Sequence, residues 1–167
     1  LLLLLISVAN TAWTQPYKKQ YSFSNATSIN NFSTPYSLIQ TLDGGFAFTI
    51  TSRSSWLTQN GFTLTKTTDD GTVEWAIEYD TLMYDDYPVA FLQLSDSSYY
   101  VITAANQYAR FHTWRIGPGG ALLQARTYLP LTPPNAFFPE AMCLDQGEQP
   151  VFAVNKSSQS SLMKTDL

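Results

Sequence analysis

The stretch QTLDGGFAFTITS, Gln40–Ser52, combines a turn with a strand. Asp43, Gly44 and Gly45 form the predicted turn, because Asp-Gly sequences supply the positive φ that a tight hairpin needs. The residues that follow are mostly aromatic or β-branched, which is typical of a β-strand. Whether this turn-and-strand unit recurs along the chain decides which fold the sequence predicts.

The unit recurs with a period of about 50 residues. Each copy has an apolar stretch, a polar turn that contains an aspartate, and a strand of aromatic and β-branched residues. The aspartates are Asp43, Asp96 and Asp145, spaced 53 and 49 residues apart. A cation follows each aspartate, and these cations are Lys66, Arg115 and Lys164, spaced 49 and 49 residues apart. Because Gly71 and Gly120 also lie 49 residues apart, several independent landmarks share one period.

Each copy predicts four short strands. In the first copy they are YSLIQT, FAFTITS, FTLTKT and VEWAIEY, and the last two alternate clearly between apolar and polar residues. Four antiparallel strands in about 50 residues match the strand number and length of a β-propeller blade, whose apolar faces are covered by neighbouring blades. A β-sandwich is the main alternative, because it also has short strands at regular spacing. The recurrence of similar turns and cations favours blades.

The sequence therefore predicts an all-β fold of propeller-like blades that is incomplete. Blade 1 is predicted over residues 35–80, blade 2 over 81–130, and a partial, truncated blade 3 over 131–167. A propeller closes with about four to eight blades. These two to three blades are therefore expected to be an arc of a longer ring.

The first residues have the pattern of a secretory signal peptide. The apolar run Leu1–Ala9 is too short to span a bilayer, which takes about 20 residues, but it suits the apolar core of a signal peptide. Small residues follow, and we expect cleavage after Ala12 or Thr14. The prediction is a signal peptide over residues 1–14 without its basic n-region, a strand or linker over 15–34, and no membrane span in the mature chain.

Composition excludes several classes of protein. A hydrophobic content of 44% argues against a disordered chain. A net charge of −4 with no basic run argues against a nucleic-acid partner. Cys143, the one cysteine, cannot form an internal disulfide and is predicted to be a small buried strand residue. His112, the one histidine, is predicted to lie on a strand with a hydrogen-bond partner.

No catalytic residue, metal site or cofactor is predicted. With one histidine, no Ser-His-Asp arrangement around a nucleophile elbow can be argued. The turns Asp43–Gly45 and Thr68–Gly71 lack the spacing of a calcium loop. One speculative ligand group combines aromatic with acidic residues, as sugar-binding surfaces do, and consists of Trp56, Tyr84, Asp85, Asp86 and Tyr87. The prediction for its YDDYP segment is a solvent-exposed loop between blades, because adjacent carboxylates point apart and make a poor acid–base pair, and the ligand site is the alternative.

The repeat resembles the DGG(F/Y)…KTD.(D/N)G…W repeat of exported bacterial β-propeller-like proteins, many of which are cargo of the type IX secretion system. The second copy departs from this pattern at Ser97, Ser98 and Gln124, and no C-terminal sorting domain is visible. The structural repeat motif comprises Asp43, Gly44, Gly45, Lys66, Asp70, Gly71, Trp75, Asp96, Arg115, Gly120, Asp145 and Lys164. The resemblance implies a secreted or cell-surface location and no particular catalysis.

The expected function is that of a non-catalytic module for binding, adhesion or structure, with an extracellular glycan or protein as partner. The alternative is an exported glycan-active hydrolase or lyase, with its site at the propeller mouth and in the missing blades. The two differ in whether a carbohydrate is only bound or is also cleaved.

Overall fold

The computed structural model describes residues 35–52, 61–80, 86–105, 110–129, 137–156 and 159–165. The regular secondary structure in these ranges consists of eleven β-strands. They are β1 (Pro35–Gln40), β2 (Phe46–Ser52), β3 (Gly61–Thr67), β4 (Val73–Tyr79), β5 (Asp86–Gln93), β6 (Tyr99–Ala105), β7 (Arg110–Ile116), β8 (Leu122–Tyr128), β9 (Phe137–Leu144), β10 (Pro150–Lys156) and β11 (Gln159–Lys164).

The strands form three antiparallel sheets in chain order. Sheet 1 is β1-β2-β3-β4, sheet 2 is β5-β6-β7-β8, and sheet 3 is β9-β10-β11. Within each sheet, strands that are neighbours in sequence pair with one another, as successive hairpins require. The prediction of an all-β chain with antiparallel four-stranded units is confirmed for sheets 1 and 2.

One type of turn joins the paired strands at the same end of every sheet. In each turn the first N–H donates to the fifth carbonyl, and the fourth N–H donates to the first carbonyl. The first and fifth residues thus close a three-residue hairpin loop, and the last residue of this loop, the fourth of the five, takes a positive φ. The residues at that position are Gly44, Gly71, Ser97, Gly120 and Glu148, with φ of +88°, +75°, +64°, +85° and +59°. The conformation is therefore kept even where a side chain makes it costly.

The third copy departs from the repeat in the position of its aspartate. Asp43 and Asp96 are the third residues of their turns, whereas Asp145 is the first residue of its own turn. Gly147 occupies the third position there. The three aspartates therefore do not occupy equivalent turn positions. Asp96 and Asp145 are 49 residues apart, which is two residues less than the distance along the chain from Asp96 to its true equivalent, Gly147.

Aromatic side chains fill the contact between sheets 1 and 2. Phe62 stacks on Tyr79 with ring centroids 5.2 Å apart, and it meets Trp114 edge-on at 5.3 Å. Such pairs contribute about 0.5–1.5 kcal/mol beyond the area they bury. The buried residues of this core are Ala47, Phe62, Leu64, Tyr79, Phe91, Tyr99, Val101, Trp114 and Ile116.

A second core lies on the opposite face of sheet 2. Successive residues of a strand point to opposite faces, so Val101 packs towards sheet 1 while Tyr100 and Ile102 pack towards sheet 3. Tyr100 stacks on Phe152 of β10 at 6.2 Å between ring centroids. The buried residues of this second core are Tyr100, Ile102, Phe111, Phe152 and Val154. Three sheets with two cores differ from a β-sandwich, which encloses a single core between two sheets.

The turn between β7 and β8 is fastened to sheet 1 by two hydrogen bonds. The indole N–H of Trp75 donates to the carbonyl of Pro118 at 3.0 Å. The Tyr79 hydroxyl donates to the carbonyl of Gly120 at 2.6 Å, and burial raises the pKa of this phenol. A Cβ on Gly120 would lie 2.4 Å from Cδ1 of Ile77, so the absence of a side chain lets the two sheets approach.

The prediction that Cys143 is buried is wrong. Cys143 lies on β9 opposite Val151, and its side chain is exposed. Its neighbour Met142 packs instead into the core between sheets 2 and 3. The alternation along β9 therefore turns Cys143 to the face of sheet 3 that points away from sheet 2.

Candidate ligand-binding cleft

The structure places only part of the speculative ligand group. Trp56, Tyr84 and Asp85 lie outside the described residues. Asp86 is the first residue of β5 and is fully buried, so the prediction of a solvent-exposed loop is wrong at this position. Tyr87 follows it on β5 and is half-buried.

Asp86 belongs to a buried polar network at the end of sheet 2 away from the turns. Its Oδ1 accepts a hydrogen bond from the Thr103 hydroxyl at 2.8 Å, and Thr103 accepts one from the indole N–H of Trp114 at 3.0 Å. These bonds satisfy polar groups that would be costly to bury alone. The carboxylate thus holds the strands together and is not displayed to a ligand.

His112 lies beside this network on β7. Its Nδ1 is 3.0 Å from the hydroxyl of Thr127, which confirms the prediction of a strand histidine with a hydrogen-bond partner. Burial, together with the positive charge of Arg110, lowers the pKa of His112 to about 4. Asp86 Oδ1 lies 3.8 Å from the other ring nitrogen, Nε2.

The repeated aspartates and cations form an ion pair in each sheet. Asp43 Oδ2 lies 2.9 Å from Lys66 Nζ, and Asp96 Oδ2 lies 2.7 Å from an Arg115 guanidinium nitrogen. Asp145 pairs with Lys164 in the same way. The exposed fraction of the cation's side chain rises from 5% at Lys66 to 29% at Arg115 and 54% at Lys164. Since exposed ion pairs contribute little, the pair in sheet 1 is the one we expect to matter most.

Lys66 is a buried cation held by three oxygens. Its Nζ contacts Asp43 at 2.9 Å, Glu74 at 2.6 Å and the carbonyl of Thr67 at 2.8 Å. Burial disfavours the ammonium, but the hydrogen bonds that Lys66 donates to Glu74 and Asp43 outweigh it, so the pKa of Lys66 is raised. Three acceptors match the three N–H donors of an ammonium, and Lys66 therefore remains charged.

Asp43 is ionised over nearly the whole pH range. Hydrogen bonds from the Thr41 hydroxyl and from Lys66 lower its pKa to about 2. Hydrogen bonds from the side chain and backbone of Ser98 lower the pKa of Asp96, and one from Lys164 lowers that of Asp145. The first turn of each sheet therefore presents a carboxylate whose charge is stabilised by the fold.

Acidification is expected to weaken the fold through these turns. The pKa of Asp43 falls from 3.8 to about 2 on folding, so its contribution is complete above pH 3.8 and is lost as the pH falls towards 2. Because the Asp43 side chain is 59% exposed, we expect less than about 1 kcal/mol from it. Urea unfolding at pH 5 and at pH 2.5 should show a smaller loss of stability in Asp43→Asn than in the unmodified chain.

Asp69→Asn is the matched control for this experiment. Asp69 is also a turn aspartate, and the structure gives it no salt bridge to a cation within the described residues. Equal pH dependence in Asp43→Asn and Asp69→Asn would contradict the assignment of the acid-sensitive contribution to the ion pair.

A cleft opens between sheets 1 and 2 beside the Asp43–Lys66 pair, and we call it the seam cleft. Its volume is about 250 Å³. It lies at the turn end of the two sheets, with the β1–β2 turn on one side and the β5–β6 and β7–β8 turns on the other. The lining residues are Asp43, Lys66, Glu74, Trp75, Gln93, Ser97, Tyr99, Pro118 and Gly119.

The walls of the seam cleft are fixed by contacts across the seam. Gln93 accepts a hydrogen bond from the backbone N–H of Leu42 at 2.7 Å and donates one to the carbonyl of Ser97 at 3.2 Å. Trp75 meets Tyr99 edge-on at 5.8 Å between ring centroids, and burial raises the pKa of Tyr99 to about 12. The cleft is therefore preformed, with a neutral phenol in its wall.

The sequence marks four of the lining residues, but not as a site. Asp43, Lys66 and Trp75 belong to the repeat motif, and Ser97 is a position where the second copy departs from it. No pattern in the sequence predicted Glu74, Gln93 and Tyr99 as lining residues. Glu74 contacts Lys66 although it lies on the next strand, one residue before Trp75, which pairs with Lys66. The alternation of VEWAIEY predicts Glu74 on the face opposite Trp75, and it does not reveal the register shift between Lys66 and Thr67 at which Glu74 contacts the lysine.

Comparison with known proteins does not assign a family. No protein-family model matches the sequence, and no curated protein is significantly similar to it. In the part of the chain that the structure covers, three or more His, Cys, Asp and Glu residues nowhere cluster as metal ligands. The described residues also include no helix long and apolar enough to cross a bilayer.

Proposed function

We propose that the chain is part of a secreted or cell-surface β-propeller-like repeat protein that binds an extracellular glycan or protein without catalysis. The observation that carries this proposal is the repeated face-to-face contact of the sheets. Sheet 1 packs on sheet 2, and sheet 2 packs on sheet 3 through its opposite face. Such additive stacking is the principle by which propellers and other repeat proteins build rigid binding scaffolds.

The outer face of sheet 3 supports the propeller part of this proposal. This face carries Lys164, the equivalent of Lys66, and Leu162, whose surface is 78% exposed. On sheet 1 the equivalent face carries Leu64, which is fully buried against sheet 2. A further sheet of the same kind would cover Leu162 as sheet 2 covers Leu64.

The secreted location rests on the N-terminal sequence and on the resemblance of the repeat to exported bacterial proteins. Export by the type IX system is part of the same proposal. N-terminal sequencing of the protein recovered from the culture medium or cell surface should give a start at Trp13 or Gln15. Recovery of the protein in the cytoplasm with residues 1–14 intact would contradict it.

Binding without catalysis can be separated from the enzymatic alternative. The low pKa of Asp43 makes this carboxylate unsuited to donate a proton, whereas a glycosidase needs a carboxylic acid of raised pKa. A glycan-array screen of the intact protein, followed by product analysis on every glycan bound, should show binding with no cleavage. Absence of any ligand across a broad panel would count against glycan binding, and released sugar would favour a hydrolase or lyase.

A further inference from the structure

The seam cleft offers two carboxylates as hydrogen-bond acceptors, and one buried cation compensates half of their charge. Lys66 Nζ lies between the carboxylates of Asp43 and Glu74, at 2.9 and 2.6 Å. Both carboxylates remain partly open to solvent, with side chains 59% and 42% exposed. From this geometry we propose that the seam cleft binds a single neutral sugar ring. The proposal rests on the proposed function and assigns its glycan to one place.

The charge arrangement selects against anions and leaves one net negative charge in the cleft. A metal cation or an ammonium group would meet two carboxylates that Lys66 already bridges. An anion such as a phosphate or a uronate would meet the carboxylates of Asp43 and Glu74 first. A neutral sugar donates hydroxyl protons to the carboxylates without bringing a charge, and hydrogen bonds to charged acceptors are the stronger ones.

The aromatic wall gives the site its second element. Trp75 is half-buried, and its ring is held by the hydrogen bond to Pro118 and by the edge-on contact with Tyr99. A fixed aromatic side chain offers contact area at low entropic cost. Ligand pockets usually have volumes of about 300–1,000 Å³, so a cleft of about 250 Å³ suits one ring and not an extended oligosaccharide.

The repeat provides an internal comparison for the same position. The contact between sheets 2 and 3 keeps the ion pair, as Asp96 with Arg115. The other lining positions change there, because Gln124 takes the place of Trp75 and Leu123 that of Glu74. Sheets 2 and 3 therefore stack without an aromatic or acidic residue at these positions, and the combination is specific to the seam cleft.

Gly119 allows the cleft to be filled without disturbing the fold. It lines the cleft as the third residue of the β7–β8 turn, and a Cβ built there meets no atom within 4 Å. Gly147 is the third residue of the β9–β10 turn, and a Cβ there makes only ordinary contact with Asp145, at 3.5 Å. Gly119→Leu and Gly147→Leu are therefore the same change in the same kind of turn, inside and outside the cleft.

The test is ligand-observed saturation-transfer NMR on the full chain. The probes are methyl glycosides of glucose, galactose and mannose at millimolar concentration, with glucosamine and glucuronate as charged analogues. We expect at least one neutral glycoside to bind the unmodified chain and Gly147→Leu equally, and Gly119→Leu about tenfold more weakly or not at all. Urea unfolding of both variants verifies that each remains folded.

The outcomes separate this inference from the function on which it rests. If an array glycan or a glycoside binds Gly119→Leu with the same affinity as the unmodified chain, the assignment of the site to the seam cleft is wrong while glycan binding stands. Binding of only glucosamine or only glucuronate overturns the neutral ligand class. If no glycoside binds the unmodified chain, the inference falls whether or not the array identifies another partner.

Discussion

Gly120→Ala is expected to lower the free energy of unfolding by about 3 kcal/mol. Two costs combine at this position. Gly120 has a φ of +85°, where an L-residue with a side chain is strained by about 1–2 kcal/mol. The new methyl would also lie 2.4 Å from Cδ1 of Ile77, so the contact between sheets 1 and 2 would have to shift. Urea denaturation of purified variants measures the sum.

Two neighbouring glycine positions separate these costs. Gly44 shares the positive φ, at +88°, but a Cβ there meets nothing within 4 Å, so Gly44→Ala should lose only about 1–2 kcal/mol. Gly119 has neither constraint, and Gly119→Ala should be neutral or stabilising by up to about 1 kcal/mol. Equal losses in Gly120→Ala and Gly44→Ala would show that the close approach of the two sheets contributes nothing.

Phe62→Ala is expected to be the most damaging change in the first core, with a loss of about 3–5 kcal/mol. The Phe62 side chain is fully buried and contacts the rings of both Tyr79 and Trp114. Its removal leaves a cavity between two sheets whose backbones cannot collapse freely into it. The urea midpoint should fall while the slope of the transition stays constant, as expected for a change in stability alone.

Phe138→Ala is the matched control, because it is the same substitution on a ring that is 40% exposed on β9. We expect it to cost clearly less than Phe62→Ala. Comparable losses in the two variants would contradict the claim that the core between sheets 1 and 2 dominates the stability of this part of the chain.

The strands were predictable because their signals are local. The sequences FAFTITS and VEWAIEY coincide with β2 and β4 as the structure has them. Both are bounded by turns whose fourth residue is Gly44 or Gly71, so sequence alone marks where each strand begins. The period of about 50 residues likewise reflects hairpins that form between neighbours in the chain.

Features that depend on side-chain contacts, on the packed face of a sheet or on turn register were not predictable in the same way. The burial of Asp86 follows from its contact with Thr103, a pairing across strands. The exposure of Cys143 depends on which face of sheet 3 meets sheet 2. Spacing alone predicts that the aspartate of the third copy is equivalent to the others, because it does not reveal that Asp145 is the first residue of its turn.

The seam cleft shows the same limit. Asp43 and Trp75 stand out in the sequence as repeat residues, which suggested a structural role alone. Gln93 and Tyr99 come from the second repeat, and only the stacking of the sheets brings them beside the first. A site composed of residues from two repeats has no motif of its own in the sequence.

The order of strands in the sheets has a consequence for how the protein is made. Within each sheet every strand after the first pairs with the one before it in the chain, so few distant contacts are needed to complete a sheet. A sheet can form as soon as its own strands are free to fold, and the next sheet can then dock on its uncovered face. Assembly would thus proceed in discrete steps, one sheet at a time.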